Sequence, residues 1–126
     1  MTNGKQHILI IDDNGDILNM IRLMLQIEGY EVSTQMNIIR LEDSIRELLP
    51  DLIILDMLLS GGDGRVICKS LKDNPELAHI PVLMISAHSH AKKECLDSGA
   101  DAFSEKPFDM QDFLNTVEKS LLLRKE

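Results

Sequence analysis

The chain has 126 residues, 44% of them hydrophobic and 27% charged, with a formal net charge of −8, which is ordinary usage for one globular domain. That acidic balance argues against a nucleic-acid or membrane surface as the main partner, since both call for basic patches. No apolar run reaches the ~18 residues of a membrane span, and the start, MTNGKQ, lacks the apolar core of a signal peptide; one cytoplasmic domain over 1–126, with a polar tail at 1–6, is therefore expected.

Strand and helix patterns alternate along the chain. HILIID (7–12) reads as a strand. Residues 15–28 follow as a helix with a stripe of Ile17, Met20, Ile21, Met24 and Ile27, capped by Asn14 and stopped at Gly29. YEVST (30–34) is a short strand, and 38–49 is a helix carrying Ile38, Leu41, Ile45 and Leu48. DLIILD (51–56) suits a strand buried on both faces. MLLSGGDG reads as a loop, with Asp63 capping a third helix that bears Val66, Ile67 and Leu71 and ends before Pro75. IPVLMIS (80–86) is a fourth buried strand. A weak helix over 89–98 has a thin apolar face of Ala91, Cys95 and Leu96, and ADAFSE (100–105) is the fifth strand. Asp109 caps a last helix with Met110, Phe113, Leu114, Val117 and Leu121. Cys68 and Cys95, with no paired spacing, read as reduced core fillers, and Met20, Met24, Met57 and Met84 as packing residues.

Five strands alternating with five helices imply a doubly wound α/β fold, a parallel sheet with helices on both faces. Ligands of such sheets bind beyond the carboxyl ends of the strands. Asp12 and Asp13, Asp56, Ser86 and Lys106 all fall at that edge. Asp16 is explained by the dipole of the first helix, but Asp12 and Asp56 are not. Converging carboxylates need a cation to stay ionised together. Hard oxygen donors suit Mg2+ (or Mn2+), which keeps several waters at ~2.0–2.1 Å. A metal, a lysine and a hydroxyl around one carboxylate then suit a phosphoryl group, with Asp56 as the nucleophile that becomes an aspartyl phosphate.

The acid pair in IIDDNGD, the aspartate in PDLIILDMLLSGGDG, the hydroxyl in PVLMISAHS and the lysine in GADAFSEKPF together resemble the receiver domains of two-component response regulators, over essentially the whole chain. The resemblance implies a flavodoxin-like sheet of order 2-1-3-4-5, with Asp56 as phosphoacceptor. It implies that Asp13, Asp56 and the backbone carbonyl of Leu58 bind Mg2+ directly, and Asp12 through water. Ser86 and Lys106 would hold phosphoryl oxygens, Phe103 would be the switch aromatic, and the Lys106–Pro107 bond would be cis. Leu58 and His88 would border the path of the hydrolytic water. The partners implied are a sensor histidine kinase or phosphotransfer protein and a downstream protein or output domain, met by the fourth helix, fifth strand and fifth helix. Such a domain is not an enzyme acting on other substrates; it promotes only its own phosphorylation and dephosphorylation.

Some positions depart from the family pattern. Ser60 stands where proline is usual and Gly62 where methionine is frequent, so the SGGDG loop is expected to be looser. Ile38 stands at a place often held by glycine and Gln35 at one often held by alanine. Rival readings fare worse. A haloacid-dehalogenase-like phosphatase needs an acid at Leu58, and a flavodoxin's phosphate loop would not read DDNGD. A receiver-like interaction module that is never phosphorylated remains the alternative. HSH at 88–90 has the wrong spacing for one helix face. The chain is read as a stand-alone regulator or the N-terminal module of a longer one.

Overall fold

A computed structural model describes residues 5–88, 90–106 and 109–123. Five parallel strands, β1 (His7–Ile11), β2 (Glu31–Gln35), β3 (Leu52–Asp56), β6 (Val82–Ser86) and β7 (Ala102–Glu105), lie side by side in the order β2-β1-β3-β6-β7. This is the 2-1-3-4-5 order once the short strands β4 (Leu58–Leu59) and β5 (Gly62–Asp63), which pair only with each other, are set aside. The sheet's residues divide between its faces with the two-residue period of a strand. Leu9, Ile11, Ile53, Leu55, Val82 and Met84 pack on one side with α2 (Leu41–Leu48), α3 (Gly64–Asp73) and α4 (Lys92–Asp97). Ile8, Ile10, Leu52, Ile54, Leu83 and Ile85 pack on the other with α1 (Gly15–Ile27) and α5 (Met110–Leu121). Burial on both faces is why the central strands are nearly pure aliphatic sequence.

Caps fall where side chains can supply them. Asn14 accepts from the backbone N–H groups of Asp16 and Ile17, Asp63 from Arg65, and Asp109 from Asp112. Cys68 and Cys95 are free and buried, and burial pushes both thiols up, Cys95 to about 11.

The helix faces differ from the expected stripes. In α1 the buried residues are Leu18, Ile21, Met24 and Leu25, while Met20 and Ile27 are exposed. Val66, Leu96 and Met110 are exposed as well. These helices are apolar on more than one side, so periodicity alone does not fix which side meets the sheet. The second helix begins at Leu41 rather than at 38. Ahead of it, Gln35 Nε2 donates to the carbonyls of Asn37 (2.7 Å) and Ile39 (3.1 Å), and Arg40 sits in left-handed conformation at φ 56°.

The segment expected to be a loose loop is a two-stranded hairpin. Its turn, Ser60–Gly61, places Gly61 at φ 83°, which glycine adopts without steric cost. Ile38 lies over Gly62: a Cβ there would stand 2.7 Å from Ile38 Cδ1. The two departures at 38 and 62 are thus one packing arrangement, a large side chain filling the space left by a missing one. At Gly64 a Cβ would collide with the backbone carbonyl of Asp56. Glycine there lets the start of α3 close against the end of β3, where Gly64 N–H donates to Met57 O at 2.6 Å.

Candidate functional site

The parallel register brings the acids together. Ile11 lies beside Leu55, so the next residues, Asp12 and Asp56, meet at the carboxyl ends of adjacent strands. Both are buried. Asp13 is half-buried, and Asp12, Asp13 and Asp56 each offer an oxygen within 4.8 Å of the others. Asp56 lies beside Ile85, Ser86 beside Glu105, and Lys106 follows directly.

Lys106 spans the cluster from the far side. Its Nζ is 3.1 Å from Asp12 Oδ2 and 3.3 Å from Asp56 Oδ2. Asp12 Oδ1 accepts from Asn14 N–H at 2.9 Å. Burial and the neighbouring Asp12 charge push Asp56 up to about 6, against the opposing pull of Lys106 and the Leu58 N–H. Asp13 is held below the usual carboxylate range, chiefly by the hydroxyl and backbone N–H of Ser60. Among the described residues three carboxylates thus share one ammonium, which leaves negative charge uncompensated at this edge.

The donor set fits a hard divalent cation. Oxygens around one Mg2+ at ~2.0–2.1 Å stand ~3–4 Å apart; the three carboxylate oxygens lie within 4.8 Å of one another, so a small inward movement brings them to that spacing. Asp12, Asp13 and Asp56 would be the residues to hold it.

Of the other residues singled out in the sequence, Ser86, Leu58 and His88 lie at or just beyond this edge, whereas Phe103 lies within β7 opposite Met84. Ser86 is buried and its Oγ accepts the His88 N–H at 3.0 Å, while Lys106 N–H donates to Ser86 O at 2.8 Å. Leu58 and His88 are exposed at their side chains. Phe103, on β7, is half-buried against the α2–α4 side of the core. Pro107 lies outside the described residues, and with it the expected cis bond. Sequence reasoning missed Ser60 as a partner of Asp13: Ser60 N–H and Oγ–H both donate to Asp13 Oδ2, at 2.7 and 2.6 Å. The available signal was the loss of the usual proline, which has no N–H to give.

Residues 8–118 match the family described as Response regulator receiver domain. The chain is 39% identical over 119 residues to the DNA-binding dual master transcriptional regulator RpaA of Synechocystis sp., covering 93% of this chain and 49% of that protein. It is 32% identical over 116 residues to the polar-differentiation response regulator DivK of Brucella anthropi, covering 90% of this chain and 94% of the relative. The crystal structure of the receiver domain of NtrX from Brucella abortus superposes with a TM-score of 0.84 at 30% identity, covering 91% of this chain and 98% of the other. The chain spans about half the length of RpaA and of the Rhizobium meliloti phosphate regulon regulator PhoB.

Proposed function

The chain belongs to the response regulator receiver domain family, and on that premise we propose that it accepts a phosphoryl group on Asp56 from a sensor histidine kinase or phosphotransfer protein, in a Mg2+-dependent reaction. The observation that carries the reading is the position of Lys106 Nζ against both Asp12 and Asp56 within a cluster of three carboxylates.

In this reading an Asp56 carboxylate oxygen attacks phosphorus. The O–P bond forms as the bond to the donor's imidazole nitrogen breaks, and the electron pair leaves with the imidazole. Lys106 is placed to meet charge on the transferred oxygens, and the buried setting strengthens that attraction. Bound Mg2+ would supply further positive charge to those oxygens. Asp13, Asp56 and the Leu58 carbonyl would hold it directly, and Asp12 through water. The Ser86 hydroxyl would donate to a phosphoryl oxygen, turning away from its present contact with the His88 backbone. Phe103, half-buried on the neighbouring strand, would fill the space that movement opens. α4 is short, lacks a side-chain N-cap and buries only Cys95 within its own span, so it is the element with least to lose by shifting. Leu58 and His88 would border the water that ends the signal.

The domain does no chemistry on other substrates. Its output is the surface of α4, β7 and α5, offered to a protein partner or to a joined output domain. RpaA is DNA-binding by its name, but the net charge of −8 on this chain favours a protein surface as its own contact. Among the described residues no helix is long and apolar enough to cross a membrane.

Incubation with acetyl phosphate and Mg2+ tests the reading. Intact mass should show one phosphoryl adduct on the parent, none on Asp56→Asn, and none on the parent in EDTA. No adduct on the parent would favour a receiver-like interaction module. An adduct on Asp56→Asn would move the acceptor elsewhere.

A further inference from the structure

Ser60 sits at the first central position of the hairpin turn between β4 and β5, with Gly61 at φ 83° following it. It is remote from Asp13 in sequence, yet gives that carboxylate two short hydrogen bonds on one oxygen, Oδ2. The hairpin also carries Leu58, whose N–H reaches Asp56, and Asp63, which caps α3. Ser60 therefore ties the loop after β1 to the loop after β3, the two segments that flank the acid cluster.

Two opposing effects meet at Asp13. The carboxylates of Asp12, Asp13 and Asp56 repel one another, and Asp13, half-buried at the rim, is the one freest to swing away. Hydrogen bonds to a carboxylate fix its rotamer and stabilise its charge. A carboxylate has about four lone-pair sites, so donors on Oδ2 leave capacity for a cation. A proline in the turn would hold it through its fixed φ but could make neither bond.

We propose that Ser60 is a positioning residue of the metal-binding face, holding Asp13 beside Asp12 and Asp56 through two hydrogen bonds to Oδ2. The proposal rests on the reading of Asp13 as a metal ligand. Partners that orient a ligand in this way typically support metal affinity by ten- to a hundredfold, and Ser60→Ala removes only one of the two bonds here.

Calorimetric titration of the full chain with Mg2+, and thermal unfolding of the same samples in EDTA, test it. Ser60→Ala should bind Mg2+ on the order of tenfold more weakly than the parent, while unfolding in EDTA within a few degrees of it. Ser60→Thr, which keeps the hydroxyl and the N–H, should restore most of the affinity. If the parent binds Mg2+ and Ser60→Ala binds equally tightly or more tightly, the positioning role is wrong while the metal site stands. Loss of stability in Ser60→Ala without loss of affinity would also overturn it, since that marks a purely structural hairpin contact. If the parent itself takes up no Mg2+, both the site reading and the role of Ser60 fall.

Discussion

The two edges of the sheet use the same residue type in opposite ways. At the amino edge, Asp51 accepts from His7 N–H at 2.8 Å, and Asp51 N–H donates to His7 O at 2.7 Å. Asp101 repeats the pattern with Val82, at 2.8 and 2.9 Å, and its Oδ2 also lies 2.8 Å from Lys72 Nζ. Lys72 donates in turn to the carbonyls of Ala78 and Ile80. Here each aspartate pins two strands together and its charge is met by donors. At the carboxyl edge, Asp12, Asp13 and Asp56 face one lysine, and burial pushes Asp56 upward. A fold gains nothing from that imbalance unless a ligand completes it. Aspartates at the amino edge are structural, and those at the carboxyl edge are the ones we propose to take a cation and an anion.

The largest effect that separates the edges is the pH dependence of stability without metal. Asp56 is raised from 3.8 to about 6. A carboxyl raised in the folded state favours folding while it is protonated, and that contribution is lost as pH rises through about 6. Asp56→Asn, which cannot ionise, should match the parent near roughly pH 4 and exceed it above roughly pH 7, by at most on the order of 3 kcal/mol. The difference between the two proteins isolates Asp56 from Asp13 and Asp63, whose lowered values work in the reverse sense. Denaturant unfolding in EDTA across this range measures it. Saturating Mg2+ should shrink or invert the gap, because the cation stabilises only the parent's carboxylate. A gap that does not change with pH would mean Asp56 is not destabilised by its surroundings.

The amino edge should behave oppositely. Asp101→Ala leaves the Val82 N–H and the Lys72 ammonium without their carboxylate, which costs ~1–3 kcal/mol. The loss should be the same with and without Mg2+, and Mg2+ affinity should be unchanged. An Asp101→Ala protein as stable as the parent would show that the amino edge is not pinned by this group.

Much of this division was legible in the sequence, because strand ends can be read from where aliphatic runs stop, and parallel connections place every carboxyl end on one side. Asp12, Asp56, Ser86 and Lys106 were located by that rule alone. The caps at Asn14, Asp63 and Asp109 were equally plain, since capping is a local interaction. What escaped depends on contacts between distant segments. The buried side of α1 was set by the sheet's demand for Leu18 and Leu25, not by the stripe through Met20 and Ile27. The Ser60–Asp13 bonds join residues 47 apart in sequence. The turn residues Ser60 and Gly61 were visible, but strands of only two residues each give too short a period to read.

The smallest expected effect concerns the frame of the carboxyl edge rather than its charge. Ile38 and Gly62 each depart from the family pattern, and the structure makes them partners. If they are one packing unit, their effects should not add. Gly62→Met alone forces a side chain into space held by Ile38, an overpacking that costs ~1–3 kcal/mol. Ile38→Gly alone removes a half-buried side chain from beside Ile67 and the core it adjoins, and frees the backbone before α2. The double variant lets methionine occupy the vacated space, so it should be less destabilised than the sum of the singles by about 1 kcal/mol. The clashing atom at Gly62 is the far end of a flexible side chain, which keeps the coupling modest. Gly64 meets the backbone of Asp56 and has no such relief. Unfolding of the four proteins in EDTA closes the cycle. Strict additivity would mean that Ile38 and Gly62 do not act as one packing unit.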